Sequence, residues 1–572
     1  MIKFVVAVKR RECFTANFKY LVFRVMRREI KWGGILRAAL GPAVFFVSVS
    51  VCFQASGQEK GRRDTLSAFQ RQSIIDYCEE YGEILSSSEL SLVDGFTADE
   101  ALWLWNDVKS ALPSPDGGTS HLVTARFKKK FLSDGFSATA RYDLAGRRLS
   151  AGLTLDNDPM EKPIDFISGY VKYGRVLAGD FSARFGQGLV MWNGFAMNVM
   201  GEPSSLARRA GGLKGYRSTD ESDFLRGAAV SFDVGRRCEV SVFASYNALD
   251  AAADDSSYTS IVTGGLHSTD SEIAKRHSMH EVLAGTNVSF SGSNWKVGAT
   301  AAGYSYDRKN GRKVKDYNRL QQYDGLWGNF SADWTVTLGH WRLFGEAALD
   351  AHLAPAVLSG VIWSPSYGFE VSAVAKVFSP SYIAAHSAGS AYNQVGGAVA
   401  ARYRKGRWTF NMNVDAGWYP WYRYQKPAGG GQLKLRLAAQ YAFSAGPQIL
   451  CQLSFSSILK GKLHVSVPIG RLSINSRLEA NEGGLATFLE GTFTVRKLQI
   501  SARGTFYNVS DWEHRVCFYE KGTPQSFSME SYYGKGYGGY LTLKYTPVRN
   551  LDLWLKLQQN YCAFFMRIFI PG

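Results

Sequence analysis

The chain has 572 residues, 45% of them hydrophobic and 14% aromatic, with 58 glycines and only 16 prolines. That apolar content excludes a disordered chain, and a mean hydropathy of −0.16 argues against a bundle of membrane helices. The formal charge of +17 invites a nucleic-acid reading, but ten lysines and arginines against two glutamates fall in the first 57 residues, leaving +9 spread over the other 515.

Those first 57 residues read as an export signal. "MRREIKWGGILR" is cationic, Ala38 to Phe53 is an apolar run short for a membrane span, and Ala55, Ser56 and Gly57 offer a small-residue cleavage site. Met26 is the expected true start, and an uncleaved anchor helix is the alternative. Val51 is the wrong size for a lipobox at Cys52. The five later cysteines (78, 238, 451, 517 and 562) are far apart and lack a C-x-x-C pair, so no disulfide framework or zinc site is expected.

Residues 67–110 look helical, with Ile74, Ile75, Leu90, Val93, Leu102 and Trp105 at helical spacing. Thr97 and Glu100 form a capping box after the turn "VDGF". The organisation expected is an export signal over 1–57, a helical periplasmic segment over 58–115 and a β-barrel over 120–572.

From about His121 the period changes to two. "GFSATARYDL" sets Phe136, Ala138, Ala140, Tyr142 and Leu144 against Ser137, Thr139, Arg141 and Asp143. "RRLSAGLTLD", "QLKLRLAAQYAF", "RLSINSRLEAN" and "LDLWLKLQ" repeat the alternation, and the polar face carries full charges. A soluble sandwich also alternates. So many charged-against-apolar strands in an exported chain instead predict an all-β fold, a large antiparallel transmembrane β-barrel with a wet lumen. At roughly 18 residues per strand and connection, about 24 strands are expected, with about 22 to 26 plausible. The longer, mostly extracellular loops are expected at 201–223, 249–279, 307–324, 379–394, 418–431 and 509–534. "FFMRIFIPG" lacks the usual terminal aromatic residue, which suggests a truncated or diverged end.

"GDFSARFGQGLVMWNGF" (179–195), "YRSTDESDFLRGAAVSF" (216–232) and "LFGEAALD" (343–350) give the chain a resemblance to helix-hairpin-helix-containing outer-membrane proteins of Bacteroidota. The resemblance spans about 70–400. It implies the outer membrane, a helix-hairpin-helix segment at "YGEILSSSELSLVDGF" and a long β region, but no chemistry.

Within the first motif, Leu177, Gly179, Phe181, Ala183 and Phe185 share one face, which is read as meeting lipid. The alternation then stops. Two readings of the continuation stay open. Gly186, Gln187, Gly188, Trp192 and Gly194 fold against the lumen or mouth, the glycines allowing close approach, or they form one more strand with an aromatic-belt Trp.

In the hairpin turn Asp94-Gly95-Phe96-Thr97, Thr97 stands where a phosphate-binding hairpin has its second glycine, and the segment is acidic. A periplasmic protein contact or a barrel plug therefore fits residues 67–110 better than DNA. "RFKKKF" (126–131) and "DRKNGRKVKDYNR" (307–319) read as solvated basic faces that could meet headgroups or lipopolysaccharide. "WYPWYRY" (418–424) reads as an interfacial girdle before a stacking platform. His277-x-x-His280, with His267 in the same loop, is a weak metal signal. No catalytic motif is present, so no catalytic residue, metal or cofactor is assigned. The expected function is a solute conduit or an envelope assembly and secretion component of a Gram-negative outer membrane. The alternatives are a DNA-handling surface protein and a barrel-embedded enzyme.

Overall fold

The structure is a computed structural model that describes residues 119–571, apart from 132–134, 162–163, 195–202, 367, 390, 445 and 527, together with Ile74 and Leu90. These two are helical and buried. The expected export signal and the rest of the expected helical segment, including Asp94, Gly95, Phe96 and Thr97, lie outside the described residues.

Successive strands pair antiparallel from Ser120–Lys130 onward, and the last, Tyr561–Pro571, pairs back onto the first, from Ser120↔Pro571 to Lys130↔Tyr561. The result is a closed 24-strand antiparallel barrel. Closure removes every edge, so no strand leaves a row of N–H and C=O groups unpaired in lipid.

The alternation read from sequence decides which face turns out. Phe136, Tyr142, Leu149, Leu153, Leu433, Leu437 and Leu453 are exposed on the outer surface, while Thr139, Asp143 and Thr154 are buried inside. An aromatic band runs around the outside: Trp341 stacks on Trp363 at 5.2 Å, Trp363 meets Phe369, Phe369 meets Tyr403, and Trp408 packs on Phe410 and Tyr441. All of these lie near the tight turns at 339–340, 367–368, 406–407 and 443–447, which marks one membrane interface.

The two ends are unlike. The end carrying both barrel termini has only short connections, such as 174–175, 470–471 and 496–497. The other end carries 185–224, 250–278, 307–326, 379–393, 420–429 and 510–533. These fall where the sequence places long loops, and the short-turn end is the periplasmic one in barrels of this kind.

One strand departs from the expected orientation. In Val176–Arg184, Val176 is 55% exposed, whereas Leu177, Phe181 and Ala183 are at most 1% exposed and face inward. Leu177, Phe181, Ala183 and Phe185 do not meet lipid. They pack in a cluster with Leu189, Met191, Phe243, Leu283 and Tyr382. Alternation alone could not tell the two faces apart here, because the partner for this apolar face comes from loops folded inside.

Candidate functional site

The inward departure begins at Gly179. Its φ is +99°, and a Cβ there would lie 2.2 Å from the Gly169 carbonyl oxygen. Up to Gly179 the strand pairs with the wall residues Tyr170–Tyr173. Beyond it, Phe181–Arg184 pairs with the short strand Gly212–Gly215. Asp180 holds the bend: its carboxylate accepts from the Gly169 N–H at 3.1 Å and ion-pairs with Arg226 at 2.7 Å.

The chain then turns back on itself. Asn193 N–H donates to the Ala183 carbonyl at 3.1 Å, and Phe185 N–H to that of Met191 at 3.1 Å. From Phe181 to Asn193 every residue but Arg184 is buried. Gly186 and Gln187 face Glu346 of strand Trp341–Asp350, and Gly188 faces Ala388 and Trp192. Glu346 is fully covered, and its Oε2 accepts from the N–H groups of Gln187 at 2.6 Å and Leu189 at 3.0 Å. Gly186 and Gly188 have positive φ, and side chains there would run into Glu346 and Ala388. Trp192 lies between the guanidinium groups of Arg184 and Arg208, at 5.8 and 5.9 Å. Gly194 closes the segment, its N–H donating to Asp223 at 2.7 Å.

A second loop, 379–393, enters from another part of the wall. Ile383 N–H donates to Asp350 at 3.0 Å, and its carbonyl accepts from Asn329 and the Trp327 indole at 2.8 and 3.1 Å. The two loops interlock. Trp192 N–H donates to the His386 carbonyl at 2.7 Å, Ala388 N–H to the Gly188 carbonyl at 2.8 Å, and the Tyr382 hydroxyl to the Leu189 carbonyl at 2.9 Å. Arg208 clips both, reaching the carbonyls of Gln187 at 2.8 Å and Ala388 at 3.1 Å. Such partners make the burial of polar backbone tolerable.

A third insertion is the hairpin Val516–Glu520 and Ser528–Tyr532. Lys556 and Glu520, both at most 1% exposed, pair at 3.2 Å, and Arg503 joins the Tyr519 carbonyl at 2.7 Å while pairing with Glu490 at 2.6 Å. The hairpin's tip reaches the first strand, where Arg126 donates to the Gln525 carbonyl at 2.8 Å. Arg126 and Lys128 of "RFKKKF" thus point into the lumen, with Lys128 over the Tyr561 ring at 4.1 Å, instead of meeting headgroups.

Elsewhere the lumen is different. By register, the inner face of strands between Phe369 and Asn481 presents Lys376, Arg402, Arg404, Lys434, Arg436, Lys460, Lys462 and Arg477 against Glu370, Asp415 and Glu479. Among the described residues from 403 to 480, only Tyr419 is buried. Loops meet this wall at its two margins, where the Ser372 hydroxyl donates to the Pro203 carbonyl at 2.6 Å and the Asn481 amide to the His514 carbonyl at 2.6 Å.

Of the remaining sequence candidates, "WYPWYRY" divides. Trp418 is half exposed, Tyr419 is buried under Arg423 at 4.5 Å, and Trp421 ties to Asn393 and Asp316. His277 and His280 do not share a ligand site: His280 pairs with Asp307 at 3.1 Å, and His267 lies among carboxylates. Sequence reasoning missed Glu346, Arg208 and Tyr382. Glu346 and Tyr382 sit far from the Gly-Trp segment in the chain, Arg208 follows it within the same connection, and no local signal links them.

No family model matches the sequence, and no curated protein does. Solved structures similar to it include the siderophore receptor PirA from Acinetobacter baumannii (7% identity, TM-score 0.40, 80% of this chain and 81% of that one). The copper transporter OprC (9%, 0.40, 80% and 81%) and the translocation pore of the P pilus usher PapC (9%, 0.29, 79% and 99%) are similar too. At these identities and scores they lend this chain no function. Its own closed barrel with an apolar outer face is the architecture of an outer-membrane protein.

Proposed function

We propose that the chain is an outer-membrane solute conduit of a Gram-negative, Bacteroidota-type bacterium, passing anionic or neutral hydrophilic solutes along the basic side of its lumen. The observation that carries this reading is the wall between Phe369 and Asn481, where eight inward lysines and arginines face three carboxylates, Arg402 buried and the other seven only part-buried. A surplus of fixed positive charge around a narrow aqueous path raises the local concentration of anions and repels cations. The interlocked loops 185–194 and 379–393 narrow the path beside this wall, so the solute is selected on one charged surface.

The test is single-channel recording of the purified full-length protein in planar bilayers under a salt gradient. Discrete conductance with a reversal potential on the anion side is expected. A protein that inserts and shows no conductance, or one that selects cations, would sink the reading.

A further inference from the structure

Three connections at the long-loop end converge on one imidazole. His267 is 5% exposed. Its Nε2 lies 2.6 Å from Asp250 Oδ2, and its Nδ1 lies 3.1 Å from Asp165 Oδ2 and 3.9 Å from Glu221 Oε2. The His267 backbone N–H donates to Glu161. Glu161, Asp165 and His267 each present one ligand atom, and those atoms lie within 4.8 Å of one another. Glu161 and Asp165 come from the 158–165 connection, Glu221 from 185–224, and Asp250 and His267 from 250–278.

The charges here do not balance. Among the described residues, the one guanidinium paired with any of these carboxylates is Arg276, 4.0 Å from Asp165. A neutral imidazole carries a single N–H. The short contact to Asp250 claims it for Nε2, which leaves the Nδ1 lone pair facing the Asp165 and Glu221 carboxylates. That arrangement is repulsive unless something positive lies between them. Asp165 gives a separate indication: its side chain is 2% exposed, yet its Oδ1 has no hydrogen-bond partner. A buried carboxylate oxygen with no donor is costly, and a cation is the usual remedy.

We propose that Glu161, Asp165 and the Nδ1 of His267 bind one divalent first-row transition ion, with Glu221 beside them as a further oxygen ligand. Mixed imidazole and carboxylate ligation suits zinc and its neighbours, whereas calcium and magnesium take oxygen ligands alone. Asp250 is then a positioning residue that fixes the tautomer and orientation of the ligating ring, the usual carboxylate–histidine–metal arrangement. The ion ties three connections into one rim, whether or not the lumen conducts.

The test uses the full-length protein in detergent, stripped with a chelator and dialysed against Zn2+. One Zn2+ per chain is expected in the wild type and is lost in His267→Ala and Asp165→Asn, with heat-modifiable migration unchanged. Asp250→Asn keeps the site but weakens it about 10- to 100-fold. Co2+ in place of Zn2+ gives a spectrum of nitrogen and oxygen ligation without a thiolate band, which separates this site from the free cysteines and needs no variant. Zn2+ retained equally by His267→Ala would overturn the proposal. So would displacement of Zn2+ by equimolar Ca2+, or a wild type that retains no ion, in which a protonated imidazole alone bridges the carboxylates.

Discussion

The two sides of the lumen are both made from antiparallel strands of the wall, and they end in different states. Around Leu177, Phe243, Leu283, Tyr304 and Ala348 the inner face is apolar, and loops fold in to cover it. Between Tyr403 and Ala480 the inner face is ionic, and among the described residues there only Tyr419 is buried. The difference follows inner-face composition. An apolar inner face meeting water gains about 1.5–3 kcal/mol for each large side chain that a loop covers. A lysine or arginine left facing water costs nothing, and burying one unpaired costs several kcal/mol. The hairpin at 516–532 shows the third outcome, ionic groups buried as partners: Lys556 with Glu520, and Arg503 with Glu490.

The sharpest way to break this contrast is to invert the ionic side. Replacing Arg436, Lys462 and Arg477 together with Glu turns three inward cations into carboxylates, and the reversal potential in a salt gradient should change sign. Unchanged anion preference would place selectivity at another surface. The next effect acts at the bend. In Gly179→Val, the new side chain starts 2.2 Å from the Gly169 carbonyl oxygen at φ +99°, so the strand cannot turn inward. Expected results are a lower yield of folded barrel and, in what folds, trypsin cleavage after Arg208, a part-buried site now held by the carbonyls of Gln187 and Ala388.

A smaller loss follows from Glu346→Leu. It strands two buried N–H groups, those of Gln187 and Leu189, at about 1–3 kcal/mol each. The barrel should keep its heat-modifiable migration while the loop becomes protease-sensitive and mean conductance rises. Glu346→Gln keeps an acceptor and should lose less.

How far these regions were legible in the sequence follows from what each depends on. Strand existence, number and the outward face of Phe136–Ala145 or Gly430–Ala442 are set by a two-residue period, which is local. The inward face of Leu177 and Phe181 was misread because both faces of that strand lack a charge until Asp180, so nothing local says which apolar side meets lipid. Gly179 passed as part of the alternation, whereas the glycines at 186, 188 and 194 marked a departure from the strand. Its destination depends on Glu346 and Ala388, about 160 and 200 residues further along the chain. The rim cluster was hidden for the same reason: Asp165, Glu221 and His267 meet only after three connections fold together.

The smallest expected effect is on the lock between the two inward loops. His386 offers its carbonyl to Trp192 and pairs through Nε2 with Glu281 at 3.0 Å. Burial by itself would lower the imidazole, but Glu281 outweighs it and holds His386 above the ordinary histidine value. A histidine whose pKa is raised in the folded state binds a proton that the unfolded chain has already released, so its contribution is full below the unfolded value. It is lost as pH rises through the folded one. Alkaline pH should therefore loosen the lock and acid pH hold it. The expected readout is faster hydrogen exchange in peptides covering 185–194 and 379–393 as pH passes from slightly acidic to alkaline, after correction for intrinsic exchange. In His386→Gln the same peptides should exchange at a corrected rate that no longer depends on pH. If the dependence survives that substitution, the proton lies elsewhere and the Glu281 pair is not what couples the loops to pH.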